Sequence, residues 1–439
     1  MNNGFKTVVL FSFIVCIHMM ISGCASIAEG VARGLTEKDQ TPLPRLCELH
    51  GPAFDGIAHS IELGKADLNA ANDVIIHKVM MIHGIGGAKP GYSVRLQNNL
   101  ISALGLTRVS NVTKEIELRS PAYPGEPMGT LLVTRFQNKD KSKELHFYEL
   151  SWSVITQPEK DFLAASDLSL YAAHRADVNQ ELKVFVNNHV VDPALYTGLK
   201  QNMIIESSSQ AICWMLHKNW KSLSDHSVAV CSRENVEDMF NLLAANTSQD
   251  FSFISHSLGS RIVVDMLDKE VSRLSRKHKG SNSITIKKIH ELIKNFEFRL
   301  YMMSNQLPLL QLGRAPAEIT GQYNQYCLPD GKYYQNRFLD KLFIVAFSDP
   351  NDLLSYNIPY DFANKYLDSR LCPQIVNVSV SVTKPIDLFG VGKFANPLSA
   401  HTEYDNDERV IGIMTHGIGQ KDTHPAVATS CKWLETIQD

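Results

Sequence analysis

Short apolar runs alternate with amphipathic stretches over most of the chain. The amphipathic stretches repeat apolar residues every three or four positions, as one face of a helix does. The apolar runs have the length of buried strands and cover residues 78–82, 131–136, 145–150, 251–254, 298–303, 342–346 and 375–382. Strands that alternate with helices predict an α/β domain, with a mostly parallel central sheet and helices on both faces.

The interval between the third and fourth of these runs is too long for a bare loop. Helical periodicity covers most of it, at residues 161–174, 179–191 and 210–223. We therefore expect an inserted helical cap, at about residues 155–245, that lies over the functional site. Its apolar positions are expected to face the sheet or a substrate: Leu163, Leu168, Leu170 and Tyr171.

The first residues have the pattern of a targeting signal. Lys6 supplies a positive charge, residues 8–20 are almost wholly apolar, and small residues precede Cys24. Residues 1–23 thus resemble a bacterial lipoprotein signal peptide. The resemblance implies cleavage before Cys24, a diacylglyceryl thioether on its sulfur and acylation of the new amino terminus. Several acyl chains together hold a protein stably on a bilayer.

A plain transmembrane anchor is the alternative for this segment, but its apolar run is too short for a comfortable span. Ala25, not Asp, follows the cysteine. In the bacterial sorting pattern that the segment resembles, this implies the outer membrane, facing the periplasm. Residues 24–70 have weak periodicity and are expected to form a tether and N-terminal segment, and residues 71–439 the main domain.

Composition and charge narrow the range of partners. The 439 residues carry a formal net charge of −3, so the chain has no electrostatic footprint for nucleic acid. No cofactor is expected, no His/Cys cluster has the spacing of a metal site, and no oligomeric state follows. Without Cys16 and Cys24 an even number of cysteines remains, which is compatible with disulfides in an exported protein. The local pairs to expect are Cys213 with Cys231 and Cys327 with Cys372.

Residues 250–265 are the most informative stretch. An apolar run leads into the turn Ser255-His-Ser-Leu-Gly259, and apolar residues with helical spacing follow. Strand, five-residue turn and helix form the context in which a G-x-S-x-G pattern makes a nucleophile elbow. Gly259 matches the second glycine, and Ser255, which is nearly as small, replaces the first. Ser257 is therefore the candidate nucleophile, and an ordinary serine in a strand–helix turn is the alternative.

A glycine-rich turn, His83-Gly-Ile-Gly-Gly87, follows the strand at residues 78–82. Such a turn points backbone N–H groups at whatever lies above the sheet. It lacks both the Lys-Ser/Thr ending of a P-loop and a G-x-G-x-x-G pattern. We expect it to form an oxyanion hole, whose donors are the N–H groups of Leu258 and Ile85. An ordinary strand–helix turn is the alternative.

A serine hydroxyl is a weak nucleophile, so it needs a base and a third group that orients the base. Asp349 or Asp352 comes after the strand at residues 342–346, and His401 lies in the loop after the strand at residues 375–382. Parallel strands bring their carboxyl ends to one edge of a sheet. Together with Ser257 these residues give the chain order Ser, Asp, His.

Four short stretches, each after a strand, resemble the α/β-hydrolase superfamily over roughly residues 78–416, apart from the cap. They are Ile82-His-Gly-Ile-Gly86, Ser255-His-Ser-Leu-Gly259, Ser348-Asp-Pro-Asn-Asp-Leu-Leu354 and Ala400-His-Thr-Glu-Tyr404. The resemblance implies that Ser257 is the nucleophile, Asp352 the orienting acid and His401 the base.

Each of the last two roles has a rival. Asp349 is nearer to its strand and stays the alternative acid, but it precedes Pro350, which is typical of a residue that stabilises a turn. His416 belongs to a stretch that repeats the His-Gly-Ile-Gly sequence of residues 83–86, but it falls near the end of the final helix. His256 lies inside the elbow, and we expect it to be structural.

These features together predict a membrane-anchored serine hydrolase. It would cleave carboxylic esters, lipid esters among them, through an acyl-enzyme. One alternative is a lipoprotein of the same fold that acts as a binding or scaffold module, since fold does not fix function. The complete Ser/Asp/His set argues against this. Another is an amidase or protease, which differs only in the shape of the pocket beneath the cap.

Overall fold

A computed structural model describes residues 46–63, 74–109, 113–166, 172–216, 220–223, 225–231, 236–244, 249–280, 284–387, 393–419 and 422–436. The predicted signal peptide, the lipidation site Cys24 and the first part of the predicted tether lie outside the described residues. The same is true of three predicted cap positions: Leu168, Leu170 and Tyr171.

The strands form one large sheet and two small ribbons. Their bounds are β1 Cys47–His50, β2 Phe54–Asp55, β3 Ile75–Ile82, β4 Thr107–Arg108, β5 Lys114–Leu118, β6 Thr130–Gln137, β7 Lys143–Ser151, β8 His226–Ala229, β9 Asp250–His256, β10 Glu297–Met303, β11 Lys341–Ser348, β12 Pro373–Val380, β13 Ile386–Asp387, β14 Lys393–Phe394, β15 Gly417–Ile418 and β16 Lys432–Leu434.

The central sheet has 12 strands in the order β16-β1-β12-β11-β10-β9-β3-β7-β6-β5-β8, and β4 pairs with β6 outside this path. The strands from β12 to β7 are all mutually parallel. Antiparallel pairs, β1 with β12 and β6 with β7, join the outer strands to this block. The expected α/β architecture with a mostly parallel sheet is confirmed.

The helices are α1 Ile57–Leu63, α2 Val94–Ala103, α3 Gln157–Ser166, α4 Asp177–Phe185, α5 Val191–Thr197, α6 Gln201–Met215, α7 Val236–Ala244, α8 Gly259–Gly280, α9 Ile284–Ile293, α10 Leu307–Gln311, α11 Tyr323–Cys327, α12 Phe362–Tyr366, α13 Pro397–Thr402, α14 Glu408–His416 and α15 Pro425–Ser430. A π-helical turn, Val186–Val190, joins α4 to α5.

The sheet is buried on both faces, because successive side chains of its central strands belong to two different cores. In β3, Met80 and Ile82 pack into one core and Val79 and Met81 into the other. Apolar side chains of α6 and α8 fill the first core. Those of α1, α2 and α14 fill the second. This two-sided burial explains why the strands read as continuous apolar runs.

The domain begins earlier than the predicted boundary near residue 70. Strand β1 pairs with β12, and Cys47 forms a disulfide with Cys431 close to the other end of the described chain. Residues 47–63 are thus part of the domain and not of a tether. A strand of four residues is too short to show periodicity. The two expected local disulfides, Cys213–Cys231 and Cys327–Cys372, are confirmed.

The segment predicted as a cap contributes to the core as well. The predicted helix at residues 210–223 is wrong in its bounds, since α6 runs from residue 201 to residue 215. Helix α6 packs on α8 and on strands β3 and β7, and β8 extends the sheet beyond β5. Among the described residues of this segment, α3, α4, the π-helical turn and α5 remain for a cap, since α7 packs on α9. None of the helices in the described part of the chain is long and apolar enough to span a bilayer.

Candidate active site

Ser257 occupies a sharp turn between β9 and α8, as the sequence predicts. Its φ of 55° lies in the left-handed region, and its side chain is fully buried. A residue other than glycine held in this region costs about 1–3 kcal/mol and is typical of functional sites. A Cβ atom on Gly259 would lie 2.4 Å from the carbonyl oxygen of Ile82. The close approach of β3 therefore requires glycine two residues after Ser257.

Neighbouring parallel strands bring the other candidate residues to the same edge of the sheet. The Ser257 N–H donates to the carbonyl of Met303, the last residue of β10. Asp352 lies in the loop that follows β11, the next strand along. His401 lies in α13, whose start is capped by the Asn396 side chain.

The structure brings Asp352 and His401 into direct contact. Nδ1 of His401 lies 3.0 and 3.1 Å from the two carboxylate oxygens of Asp352. Burial raises the pKa of Asp352, but the hydrogen bond and charge of His401 outweigh it, so the pKa is lowered overall. Because an ionised carboxylate only accepts hydrogen bonds, Nδ1 carries the proton and Nε2 is left as the acceptor.

Asp349, the other candidate for the acid, makes its hydrogen bonds to other residues. One of its carboxylate oxygens accepts hydrogen bonds from the N–H groups of Val382 and Thr383, at 2.7 and 3.2 Å. The other accepts from the Asn351 N–H at 2.7 Å. Asp349 therefore braces the loops after β11 and β12, and of the two aspartates it is Asp352 that meets His401.

His256, which directly precedes Ser257, contacts His401. Its Nε2 donates to the carbonyl of His401 at 2.7 Å, and the two rings meet edge to face with centroids 5.0 Å apart. Burial, followed by the charge of His401, lowers the pKa of His256 to about 4, so it is neutral at pH 7. His256 thus positions α13 next to Ser257. His416, by contrast, lies at the end of α14 beside Thr415 and His424.

Two reactive atoms remain without partners. Within the described residues, neither Oγ of Ser257 nor Nε2 of His401 makes a hydrogen bond, although both atoms are buried. A buried hydroxyl and a buried imidazole nitrogen normally find partners. The two atoms therefore make no hydrogen bond to each other either, and the link that the structure shows between the elbow and His401 is the hydrogen bond from His256.

The glycine-rich loop after β3 touches the nucleophile. A Cβ atom on Gly84 would lie 2.6 Å from Cβ and 3.1 Å from Oγ of Ser257. The side chain of His83 holds one end of this loop. Its ring stacks on Trp152 at 4.6 Å, its Nε2 accepts from the Trp152 N–H, and its Nδ1 donates to the Gly84 carbonyl. Burial lowers the pKa of His83 to about 3, which keeps the ring neutral.

The other end of the loop is tied to the cap. Gly86, with a φ of 102°, donates its N–H to the carboxylate of Asp192 in α5 at 2.6 Å. Asp192 is fully buried and also pairs with Lys160 and Thr156. The Ile85 N–H, between these two anchored ends, donates no hydrogen bond within the described residues, and neither does the Leu258 N–H. Both predicted oxyanion donors are therefore available.

The sequence did not reveal several residues that shape this site. Asp192 holds the glycine-rich loop, Trp152 supports His83, and Ser304 contacts both Asp352 and His401. Ser304 directly follows β10, as Ser257 follows β9, and that position was the available signal. No group of His, Cys, Asp or Glu suited to hold a metal ion occurs in the described ranges.

Comparisons of the chain with models of known families, with curated proteins and with solved structures found no match.

Proposed function

We propose that the protein is a serine hydrolase of the α/β-hydrolase type, which cleaves carboxylic esters through an acyl-enzyme. One observation carries the proposal. A strained, buried serine follows one central strand, and a paired His401 and Asp352 lie at the same sheet edge. The chain order Ser257, Asp352, His401 is that of the superfamily the sequence resembles.

The reaction follows from the roles of these atoms. Oγ of Ser257 attacks the ester carbonyl carbon while Nε2 of His401 takes its proton. The carbonyl oxygen becomes an oxyanion, which the N–H groups of Ile85 and Leu258 stabilise. Asp352 holds the Nδ1 proton and stabilises the imidazolium. His401 then protonates the departing alcohol as the ester C–O bond breaks and the acyl-enzyme forms. A water molecule, deprotonated by the same Nε2, attacks the acyl carbonyl carbon. The bond between that carbon and Oγ then breaks, Nε2 returns the proton to Oγ of Ser257, and the acid leaves.

The surface of the cap supports an ester with an apolar chain. Five apolar side chains of α4 and the π-helical turn are each at least 42% exposed: Val178, Leu182, Phe185, Val186 and Val190. We refer to these five residues as the cap stripe. His189, in the same turn, lies so close to Gly86 that a Cβ atom there would approach its ring to 2.9 Å. The cap stripe thus borders the glycine-rich loop.

Membrane attachment belongs to the same proposal. An acylated Cys24 would anchor the protein in a bacterial envelope, at the outer membrane and facing the periplasm, where lipid esters are at hand. A buried site also suits acyl transfer, because exclusion of bulk water strengthens the electrostatic stabilisation of the oxyanion.

Hydrolysis of p-nitrophenyl esters of increasing chain length by the purified protein tests this function. We expect turnover, a rise in kcat/KM with chain length, and loss of at least about 1000-fold in Ser257→Ala and His401→Ala. His416→Gln is the matched histidine control and should retain activity. A folded protein that hydrolyses no ester, or one that loses activity in His416→Gln but not in His401→Ala, would contradict the proposal.

A further inference from the structure

We infer that Ser304 is a positioning residue of this site, whose hydroxyl fixes both the acid Asp352 and the base His401. The inference rests on the proposed function, since it assigns a fourth side chain to the same machinery. Ser304 is the first residue after β10, the neighbour of the strand that carries Ser257.

The hydroxyl of Ser304 lies between the two residues. Its Oγ–H donates to Oδ2 of Asp352 at 2.6 Å, and its oxygen lies 2.8 Å from Nδ1 of His401. Because that nitrogen carries a proton, it donates both to the carboxylate and to the serine oxygen. The three groups form a closed triangle in which each one restrains the other two.

The backbone of Ser304 is strained, so a serine at this position costs more conformational energy than a glycine would. Ser304 is fully buried and has a φ of 49°, a left-handed conformation that glycine adopts without strain. Glycine would form the same turn after β10 without this strain. The residue present instead supplies a hydroxyl to the two polar groups beside it.

This geometry shows which nitrogen of the His401 ring Ser304 contacts. Its partner is Nδ1, on the Asp352 side, whereas Nε2 is the nitrogen left for Ser257. Ser304 therefore holds the ring orientation and does not compete as a nucleophile. Its hydrogen bond is also one of the contributions that lower the pKa of Asp352 against the larger effect of burial.

The test compares Ser304→Ala with Ser304→Gly in the full-length protein. Both remove the hydroxyl, but glycine also relieves the backbone strain, so it provides a variant that folds even if alanine does not. We expect kcat on a short-chain ester to fall about 10- to 100-fold in both, with KM nearly unchanged, as for loss of a hydrogen bond to a charged group. Ser252→Ala, which removes a buried serine bonded to His77 in the same sheet, is the control.

A second readout is the proton resonance of the His401 Nδ1–H, identified by its absence in His401→Gln. We expect the resonance to shift and broaden in both Ser304 variants and to stay unchanged in Ser252→Ala. Wild-type kcat with an unmoved resonance, or recovery of activity in Ser304→Gly alone, would show that only the backbone matters. If the wild-type protein hydrolyses no ester, the proposed hydrolase function fails, and the resonance still decides whether Ser304 holds His401.

Discussion

Individual residues place the glycine-rich loop against Ser257, and Gly84 is the residue where the two meet. A Cβ atom there would lie 2.6 Å from Cβ of Ser257 and 2.7 Å from the carbonyl oxygen of His256. No real Cβ atom tolerates such distances from backbone. In the proposed reaction, Gly84 would thus set the distance between the Ile85 N–H and the reacting carbonyl.

We predict that Gly84→Ala lowers kcat/KM by about 100-fold, because the loop must move away from Ser257 and displacements near 1 Å have effects of that size. Gly87→Ala is the matched control, since a Cβ atom there meets nothing within 4 Å. Ester hydrolysis measures both, and circular dichroism checks the fold. Equal activity in the two variants would refute the proposed contact between loop and nucleophile.

At this scale, local motifs in the sequence predicted which residues lie together at one edge of the sheet. Ser257, Asp352 and His401 each follow a strand, and each has a short motif around it. Ser304 also follows a strand, but its role depends on partners 48 and 97 positions away in the chain. Local patterns carry no information about such partners, so tertiary structure was needed to find it.

Among the elements, helix α4 of the cap exposes its apolar side chains to solvent. Helix α4 has no buried side chain, and its apolar positions face outward. Leu182 and Val178, one turn apart, are 46% and 42% exposed. Exposed apolar surface of this kind marks sites of interaction with ligands, partners or membranes.

We predict that Val178→Ser combined with Leu182→Ser lowers activity on long-chain esters in micelles about tenfold, because two apolar contacts with the acyl chain or lipid are lost. Activity on a soluble short-chain ester should not change. The control is Ile284→Ser on α9, which removes an apolar side chain that is 71% exposed. An equal loss on both substrates would indicate damage to the fold rather than loss of lipid contact.

Helix α6 shows why the bounds of some elements could not be predicted from the sequence. Its sequence contains Ser207, Ser208 and Ser209, which interrupt the apolar periodicity, yet all three are buried. The helix lies close to the sheet, where a Cβ atom on Gly129 would approach Oγ of Ser207 to 3.2 Å. Small side chains allow this approach, so polar residues interrupt the apolar ones on the buried side of α6, and its start at residue 201 was missed.

On the scale of the whole molecule, one disulfide joins the two ends of the described domain. Cys47 in β1 and Cys431 before β16 are 384 positions apart. We predict that replacing both with serine lowers the free energy of unfolding by about 5 kcal/mol, since the unfolded chain gains the freedom of a very long loop. Urea unfolding measures this change. A variant as stable as the wild type would show that the edge strands are held by the sheet alone.

Buried histidines make the stability of the molecule depend on pH. Burial lowers the pKa of His77 and His83 to about 3 and that of His256 to about 4, from an ordinary value of 6.5. Between these values the unfolded chain binds more protons than the folded one, so stability falls as the pH drops below 6.5. Asp268 has the opposite effect. Burial raises its pKa to about 8, so near pH 5 the folded chain binds about one more proton at this residue than the unfolded chain does.

Near pH 5 these four groups together bind about two more protons in the unfolded chain than in the folded one, and His146, whose pKa burial also lowers, acts in the same direction. We therefore expect the free energy of unfolding to fall by at least roughly 2–3 kcal/mol per unit drop in pH near pH 5. Urea unfolding between pH 4.5 and 6.5 measures this slope. His77→Gln, which removes one titrating group away from the site, should reduce the slope by about one proton. A slope unaffected by His77→Gln would mean that this histidine is not buried in a neutral form.

The central claim is that His401 activates Ser257, and labelling with a fluorophosphonate probe tests it most directly. Such a probe reacts with a serine that a base has already activated. We expect the wild-type protein to be labelled, mass spectrometry to map the adduct to Ser257, and Ser257→Ala and His401→Ala to show no labelling. A folded wild-type protein that is not labelled, or an adduct found on Ser304, would contradict the account.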